Sequence, residues 1–254
     1  MLNSYIPFTV TLIDGKAYPV RDIFAFQNIF SAFLSNNNDY VMRYTVNSGD
    51  TPRSIAYYLY SSERYEWIIY CLNNIVNPYF EWPLSENQFY EMIETKYLDK
   101  KCLFLTMDSF TNNFKIGETI SNGNGATATI DSWDRTYCKL TIKNTSGVFE
   151  ENDTITSISS SGEIGRIVDL AEDAVHHFET SSGVQLDPYA GYLQAYISGI
   201  NDIYAITNKQ YEEKINDSKR SIYVLKPQYL RGTEALLLRN LNKNAQHDAE
   251  NILK

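Results

Sequence analysis

The segment Phe114-x-x-Gly117-Glu118-Thr119-Ile120 returns 35 residues later as Phe149-x-x-Asn152-Asp153-Thr154-Ile155. A repeat of this length implies two copies of one supersecondary unit packed on each other, because neither copy can bury its apolar face alone. The surrounding stretch, about residues 102–170, is rich in Asn, Ser, Thr and Gly, and its apolar period is two. Ala126-Thr127-Ala128-Thr129-Ile130 and Lys139-Leu140-Thr141-Ile142-Lys143 both alternate, as half-buried strands do. Gly125 … Ile130-Asp131 is echoed, with small gaps, by Gly162 … Val168-Asp169. Two β units of this kind predict a small all-β barrel or sandwich of about six strands.

Outside that stretch the period is helical. Residues 18–35 place Ile23, Phe26, Phe30, Phe33 and Leu34 on one helical face, with Phe24 and Ile29 off it. A helix apolar all round is buried on more than one side, by its own chain or by a partner. Asn36-Asn37-Asn38-Asp39 ends it. Residues 85–98 form a second helix, with Ser85-Glu86-Asn87-Gln88 as a capping box and a core stripe of Phe89, Met92, Ile93 and Tyr97.

Between them, Met42-Arg43-Tyr44-Thr45-Val46 is a short β run, and Asn47-Ser48-Gly49-Asp50 turns the chain. Gly49 suits a tight turn, Asp50 and Thr51 are placed to satisfy open helix N–H groups, and Pro52 fits the first helical position. Ile55 and Leu59 continue that helix. Ser62 is placed to cap the next one, which carries Trp67, Ile68, Cys71 and Leu72. Asn73-Asn74 ends it, and Asn77-Pro78 marks a turn.

The pattern Tyr44-x-Val46-x-x-Gly49-Asp50-Thr51-x-x-x-Ile55-Ala56, with Asn73 beyond it, resembles a LysM module, whose order is strand, helix, helix, strand. Its continuation departs from ordinary LysM modules. Tyr65-x-Trp67-Ile68-Ile69 … Asn73-x-Ile75-x-Asn77-Pro78-Tyr79-x-x-Trp82 is similar to the LysM-containing baseplate wedge subunit of T-even-type contractile bacteriophage tails. The likeness extends upstream to Tyr18-Pro19-Val20-x-Asp22-Ile23-Phe24, covers about residues 18–100, and is weak in the C-terminal part.

The resulting fold class is α+β. An N-terminal helical arm (1–41) precedes a LysM-like βααβ module with its following helix (42–100), and an inserted β-rich repeat domain (101–170) comes next. A mixed α/β part (171–254) then completes the main domain. Within that last part Ala174–Thr180 reads as a strand, Asp187-Pro188-Tyr189 and Gly191 as a turn-rich stretch, and Thr207-Asn208-Lys209-Gln210 as a capping box opening a helix with Tyr211 and Ile215. Arg220–Leu225 reads as a strand, and residues 229–241 as a helix with Leu230, Leu237, Leu238 and Leu241 on one side.

Composition narrows the function. The net charge of −9 repels phosphate, so sequence-independent nucleic-acid binding is excluded as the main role. No window approaches 18 apolar residues, so no membrane span is expected. The start, Met1–Tyr5, has neither a basic run nor a long apolar core, so no secretory leader is expected. Cys71, Cys102 and Cys138 form no CxxC pair and read as reduced, small hydrophobes. Aromatics are 14% of the chain, with 20 Tyr, and such rings suit half-buried interface positions.

No catalytic, cofactor or metal site is expected. Gly123-Asn124-Gly125-Ala126-Thr127-Ala128 fits a dinucleotide fingerprint by letter, but a β run follows where that fingerprint needs a helix, so it reads as a hairpin turn. His176-His177 stands among acids, yet neighbours on a strand point to opposite faces and should not ligate together. Glycan binding is the main alternative, ahead of an enzyme of unknown type, because LysM modules elsewhere hold N-acetylglucosamine polymers, such as peptidoglycan, beside the strand-to-helix turn. Here that groove would involve Gly49, Asp50, Thr51, Pro52 and the residues after Asn73. The wedge resemblance implies instead a structural baseplate subunit, assembled in the host cytoplasm, whose partners are other wedge subunits and inner baseplate or hub proteins. Tyr79, Phe80 and Trp82, with Phe24 and Ile29, are the expected contact residues.

Overall fold

The structure is a computed structural model that describes residues 8–13, 16–21, 39–189, 191–200 and 202–235. The chain forms two compact units, one of residues 1–86 with 216–254, the other of residues 87–215.

At the start of the first unit, strands β1 (Phe8–Ile13) and β2 (Lys16–Arg21) pair antiparallel, Val10 opposite Pro19. Residues 18–21, expected to begin a helix, therefore lie in a strand. Pro19 supplies the reason, since it holds its predecessor extended and donates no N–H. The rest of the expected helix, including Phe24 and Ile29, lies outside the described residues.

The core of this unit is built on β3 (Val41–Thr45), α1 (Pro52–Tyr60) and α2 (Glu66–Leu72). Thr51 caps α1 as expected: the Ser54 N–H donates to Thr51 Oγ1 at 3.1 Å and the Thr51 N–H to Ser54 Oγ at 2.9 Å. The Asp50 carboxylate instead ties its own turn, accepting the Asn47 N–H at 3.0 Å. Ser62 makes no side-chain cap; it precedes a 3-10 turn, Glu63–Tyr65, that leads into α2. The strand closing this arrangement comes from far along the chain. β12 (Ser221–Leu225) pairs antiparallel with β3, Tyr223 opposite Arg43. Ile55, Ala56, Trp67, Ile68, Ile69 and Leu72 of the helices and Ile222 and Val224 of β12 form the buried core. Each large aliphatic side chain buried there contributes about 1.5–3 kcal/mol.

In the second unit, α4 (Glu86–Tyr97) buries Phe89 and Ile93 and leaves Met92 and Tyr97 half-buried. Six strands then close into a barrel: β4 (Lys101–Leu105), β5 (Thr119–Asn122), β6 (Thr127–Asp134), β7 (Lys139–Ser146), β8 (Thr154–Thr156) and β9 (Ser161–Val168). Around the ring the order is β4-β7-β6-β5-β8-β9. The Gly123–Ala126 segment is the hairpin turn between β5 and β6.

The repeat is an approximate two-fold axis through this barrel. The Gly117 N–H donates to Ile130 O at 2.9 Å and the Ile130 N–H to Glu118 O at 2.9 Å; in the other half the Asn152 N–H donates to Ile164 O at 2.7 Å and the Ile164 N–H to Asp153 O at 2.9 Å. Ser121 pairs with Thr156, its own counterpart. One irregularity matches as well: β6 against β7 slips after Ile130↔Ile142, and β9 against β4 slips beside Ile164↔Leu105, whereas the β6–β7 slip between Thr127 and Thr129 has no counterpart in the β4–β9 ladder. The counterpart of Ile130 is thus Ile164, not Val168 as the gapped sequence echo suggested. Insertions had shifted the letters, whereas the hydrogen bonds keep register. Gly117 and Asn152 both sit at positive φ, +87° and +71°, a conformation that Gly and Asn tolerate best.

The barrel interior is Leu103, Leu105, Ile120, Ile130, Leu140, Ile142, Ile155 and Ile164, framed by Phe114 and Phe149. A second cluster lies outside it. Cys102, Phe104 and Tyr137 pack with Ala171, Ala174, Val175 and Phe178, so β10 (Val175–Glu179) shares a core with the barrel wall. A helix, α5 (Gly191–Ile197), starts at Gly191, where the expected turn-rich stretch ends, and β11 (Tyr204–Thr207), for which no element was expected, pairs with β10. α6 (Asn208–Ser218) opens with the expected capping box, Thr207 N–H to Gln210 Oε1 at 3.0 Å and Gln210 N–H to Thr207 Oγ1 at 3.2 Å. After β12, a 3-10 turn (Pro227–Tyr229) leads into helical residues 230–235, and Leu237, Leu238 and Leu241 lie outside the described residues.

Candidate interaction surface

The turn expected at Asn77-Pro78 is a short helix, α3 (Pro78–Glu81), capped by Asn77 Oδ1, which accepts the Tyr79 N–H at 3.2 Å. Pro78 favours this, since its fixed φ suits a first helical position. The Glu81 carboxylate reaches back to accept the N–H groups of Val76 at 2.6 Å and Asn77 at 3.1 Å. Lys219 Nζ donates to Phe80 O at 2.8 Å. The segment is therefore fastened from several sides, and it leaves Tyr79 89% and Phe80 76% exposed. Large rings held that far out on a tied-down turn lose little conformational freedom on meeting a partner.

Trp82 is placed differently. Its ring packs half-buried on the core, and its indole Nε1–H donates to Asp50 O at 2.9 Å. Asp50 is further engaged by Tyr44, whose hydroxyl lies 3.3 Å from Oδ2. Burial first and the Asp50 carboxylate second raise the Tyr44 pKa, so that hydroxyl keeps its proton and donates. Asn73 is also spent within the fold: its side-chain amide donates to Tyr223 O and accepts the Tyr223 N–H, at 2.8 and 2.7 Å, closing the outer edge of β12. A groove of about 350 Å³ runs beside it, lined by Asn73, Ile75, Phe80, Glu81, Lys219 and Ser221 among others.

Among the exposed aromatics that were not anticipated, two lie in the same unit as Tyr79 and Phe80. Tyr57 and Tyr58 of α1 are 63% and 77% exposed, while Ile55, Ala56 and Tyr60 are buried. Helical spacing carries the signal, because positions 55, 56 and 60 define the inward face and 57 and 58 fall off it.

The other candidates are structural. Cys71, Cys102 and Cys138 are free and buried. Burial pushes all three thiols up, Cys71 to about 12, so they are poor nucleophiles. Among the described residues no three His, Cys, Asp or Glu side chains gather as metal ligands, and no helix is long and apolar enough to cross a membrane. The expectation that His176 and His177 point apart is overturned. The register steps from Val175↔Thr207 to His177↔Ile206, a β-bulge with two residues facing one, and the two imidazoles meet Nδ1 to Nδ1 at 2.9 Å.

Residues 5–101 match the family described as base plate wedge protein 53. This covers less than half of the chain and supports a phage baseplate wedge protein, a structural component of the virion tail. The match spans β3, both core helices, the Tyr79–Phe80 turn and α4, and stops at Lys101, where the barrel begins. No curated protein matches the chain.

Proposed function

We propose that this chain joins neighbouring wedges around the baseplate hub during tail assembly, and that its LysM-like module is a protein-docking element and not a glycan receptor. The β3-α1-α2-β12 order supports the LysM-like reading: it is strand, helix, helix, strand, with everything from residue 73 to 220 inserted before the last strand. One observation carries the choice of partner. The Trp82 indole occupies the Asp50 carbonyl at the strand-to-helix turn, and Asn73 has both amide atoms committed to Tyr223. The backbone that a sugar would address at that turn is engaged, while Tyr79, Phe80, Tyr57 and Tyr58 face outward. The barrel, beginning where the family match ends, is an inserted decoration on this module. Assembly takes place in the host cytoplasm, against other wedge subunits and inner baseplate proteins.

Truncating buried interface aromatics costs about 2 kcal/mol or more each. Tyr79→Ala with Phe80→Ala should leave the melting curve unchanged and reduce complete baseplates seen by electron microscopy. Normal assembly by this variant would refute the docking role. Calorimetry with chitin oligomers checks the other half: a dissociation constant tighter than about 100 μM, roughly −5.5 kcal/mol, would restore the glycan reading.

A further inference from the structure

The β10 bulge brings together ionisable groups that no part of the docking role uses. His177 is buried, and its Nε2 lies 3.0 Å from Glu179 Oε1. With the Nε2 proton directed at that carboxylate, Nδ1 of His177 is an acceptor, and His176 donates to it from its own Nδ1. The His176 ring stacks on Tyr211 of α6, centroids 3.7 Å apart and planes 11° from parallel. Glu179 is held in turn by Lys214 of the same helix at 2.7 Å. From the barrel side Lys139, itself buried, donates to Val175 O at 2.9 Å.

We propose that the His176–His177 pair is an acid-sensitive latch that fastens the bulged strand β10 to helix α6 and loosens it as His176 takes up a proton. An added proton on His176 Nε2 keeps the shared hydrogen bond but puts a charge into a half-buried site that already faces Lys139. A second leaves two N–H groups facing each other across 2.9 Å, with no acceptor between them. The surroundings set the sign. Lys139 adds like charge from the barrel wall; Asp134 there, and Glu212 on α6, favour the protonated form of His176. Glu179 faces His177, while Glu212 is itself paired with Lys96 of α4. Burial first, then Lys139 and His177, lowers the His176 pKa from 6.5 to about 4. A folded-state value below the unfolded one means stability that is complete above pH 6.5 and is lost as pH falls towards 4. One such proton raises the unfolding equilibrium constant by at most tenfold per pH unit in that window, and partial exposure of His176 reduces the effect.

Imidazole NMR titration of the full-length protein tests this directly. His176 should titrate below pH 5, with its proton on Nδ1 at neutral pH, and the melting midpoint of the 87–215 unit should fall between pH 7.5 and 5. His176→Phe keeps the ring on Tyr211 and removes the titration, so its midpoint should vary less with pH over the same range. A His176 titration at or above pH 6.5 would overturn the latch, as would equal acid sensitivity in the His176→Phe protein. Zinc or nickel ions raising the midpoint of the wild-type protein would also overturn it, by making the pair a metal clamp. If the variant does not fold, the wild-type titration alone decides.

Discussion

The two units reach closure by opposite routes. The barrel is assembled from neighbours in sequence, and two similar halves supply each other's missing strands across an approximate two-fold axis. The β3-α1-α2 region waits for a strand near the other end of the described chain, and β12 enters already specified by side chains, with Asn73 clamping Tyr223 and the Tyr60 hydroxyl donating to Leu225 O at 3.0 Å. An insertion between α2 and β12 is tolerated because the entropy of closing a loop grows only with the logarithm of its length. Local repetition therefore suffices to close a barrel, whereas a split module needs particular polar clamps to recognise its distant strand.

Removing the barrel tests the contrast most severely. Replacing residues 103–170 with a short Gly/Ser linker should leave the β3-α1-α2-β12 unit with a cooperative melt. The transition of residues 171–215 should be lost, because Phe178, Ala174 and Val175 lose Phe104 and Tyr137 as packing partners. Calorimetry should show one transition in place of two. Survival of both would mean that the barrel is an independent bead, and loss of both that the units are one cooperative body.

The symmetry itself can be challenged with smaller changes. Ile130 and Ile164 are counterparts, each fully buried. Ile130→Ala and Ile164→Ala should each destabilise the barrel by about 2–5 kcal/mol, by matching amounts. Chemical denaturation that gives clearly unequal losses would show that the two halves share topology but not packing. The clamp on β12 gives the smallest effect. Asn73→Ala strands the N–H and C=O of Tyr223 and should cost about 1–3 kcal/mol, confined to the first transition.

Much of this was legible in the sequence for physical reasons that also mark its limits. The Thr51 cap before Pro52 and the Thr207-x-x-Gln210 box are local, so Thr, Pro and Gln at fixed spacing announced them, although the return bond from Ser54 was not foreseen. The barrel was legible because its repeat is doubled. The pairing of β12 with β3 was not spelled out, since nothing in Ile222-Tyr223-Val224 names its partner. The bulge at His176 was missed because a two-residue period assumes an unbroken ladder. β11 and α5 were missed because Tyr204–Thr207 is too short, and Gly191–Ile197 buries no residue that would make a stripe. Of the expected contact residues, Tyr79 and Phe80 lie on the exposed turn, Trp82 holds Asp50, and Phe24 and Ile29 lie outside the described residues.

The Ser121–Thr156 pairing has a consequence for the moment of synthesis. A strand joined to its own counterpart means that the first copy of the repeat, β5 to β7 with β4 on its edge, has no complete ring to belong to. Until β8 and β9 have left the ribosome, the outer strands β4 and β5 expose unpaired N–H and C=O groups to any extended segment nearby. In a cell translating many copies at once, the nearest such segment is the same half of another nascent chain. The internal repeat that makes the barrel easy to close thus also makes its half-made form prone to closing on the wrong molecule.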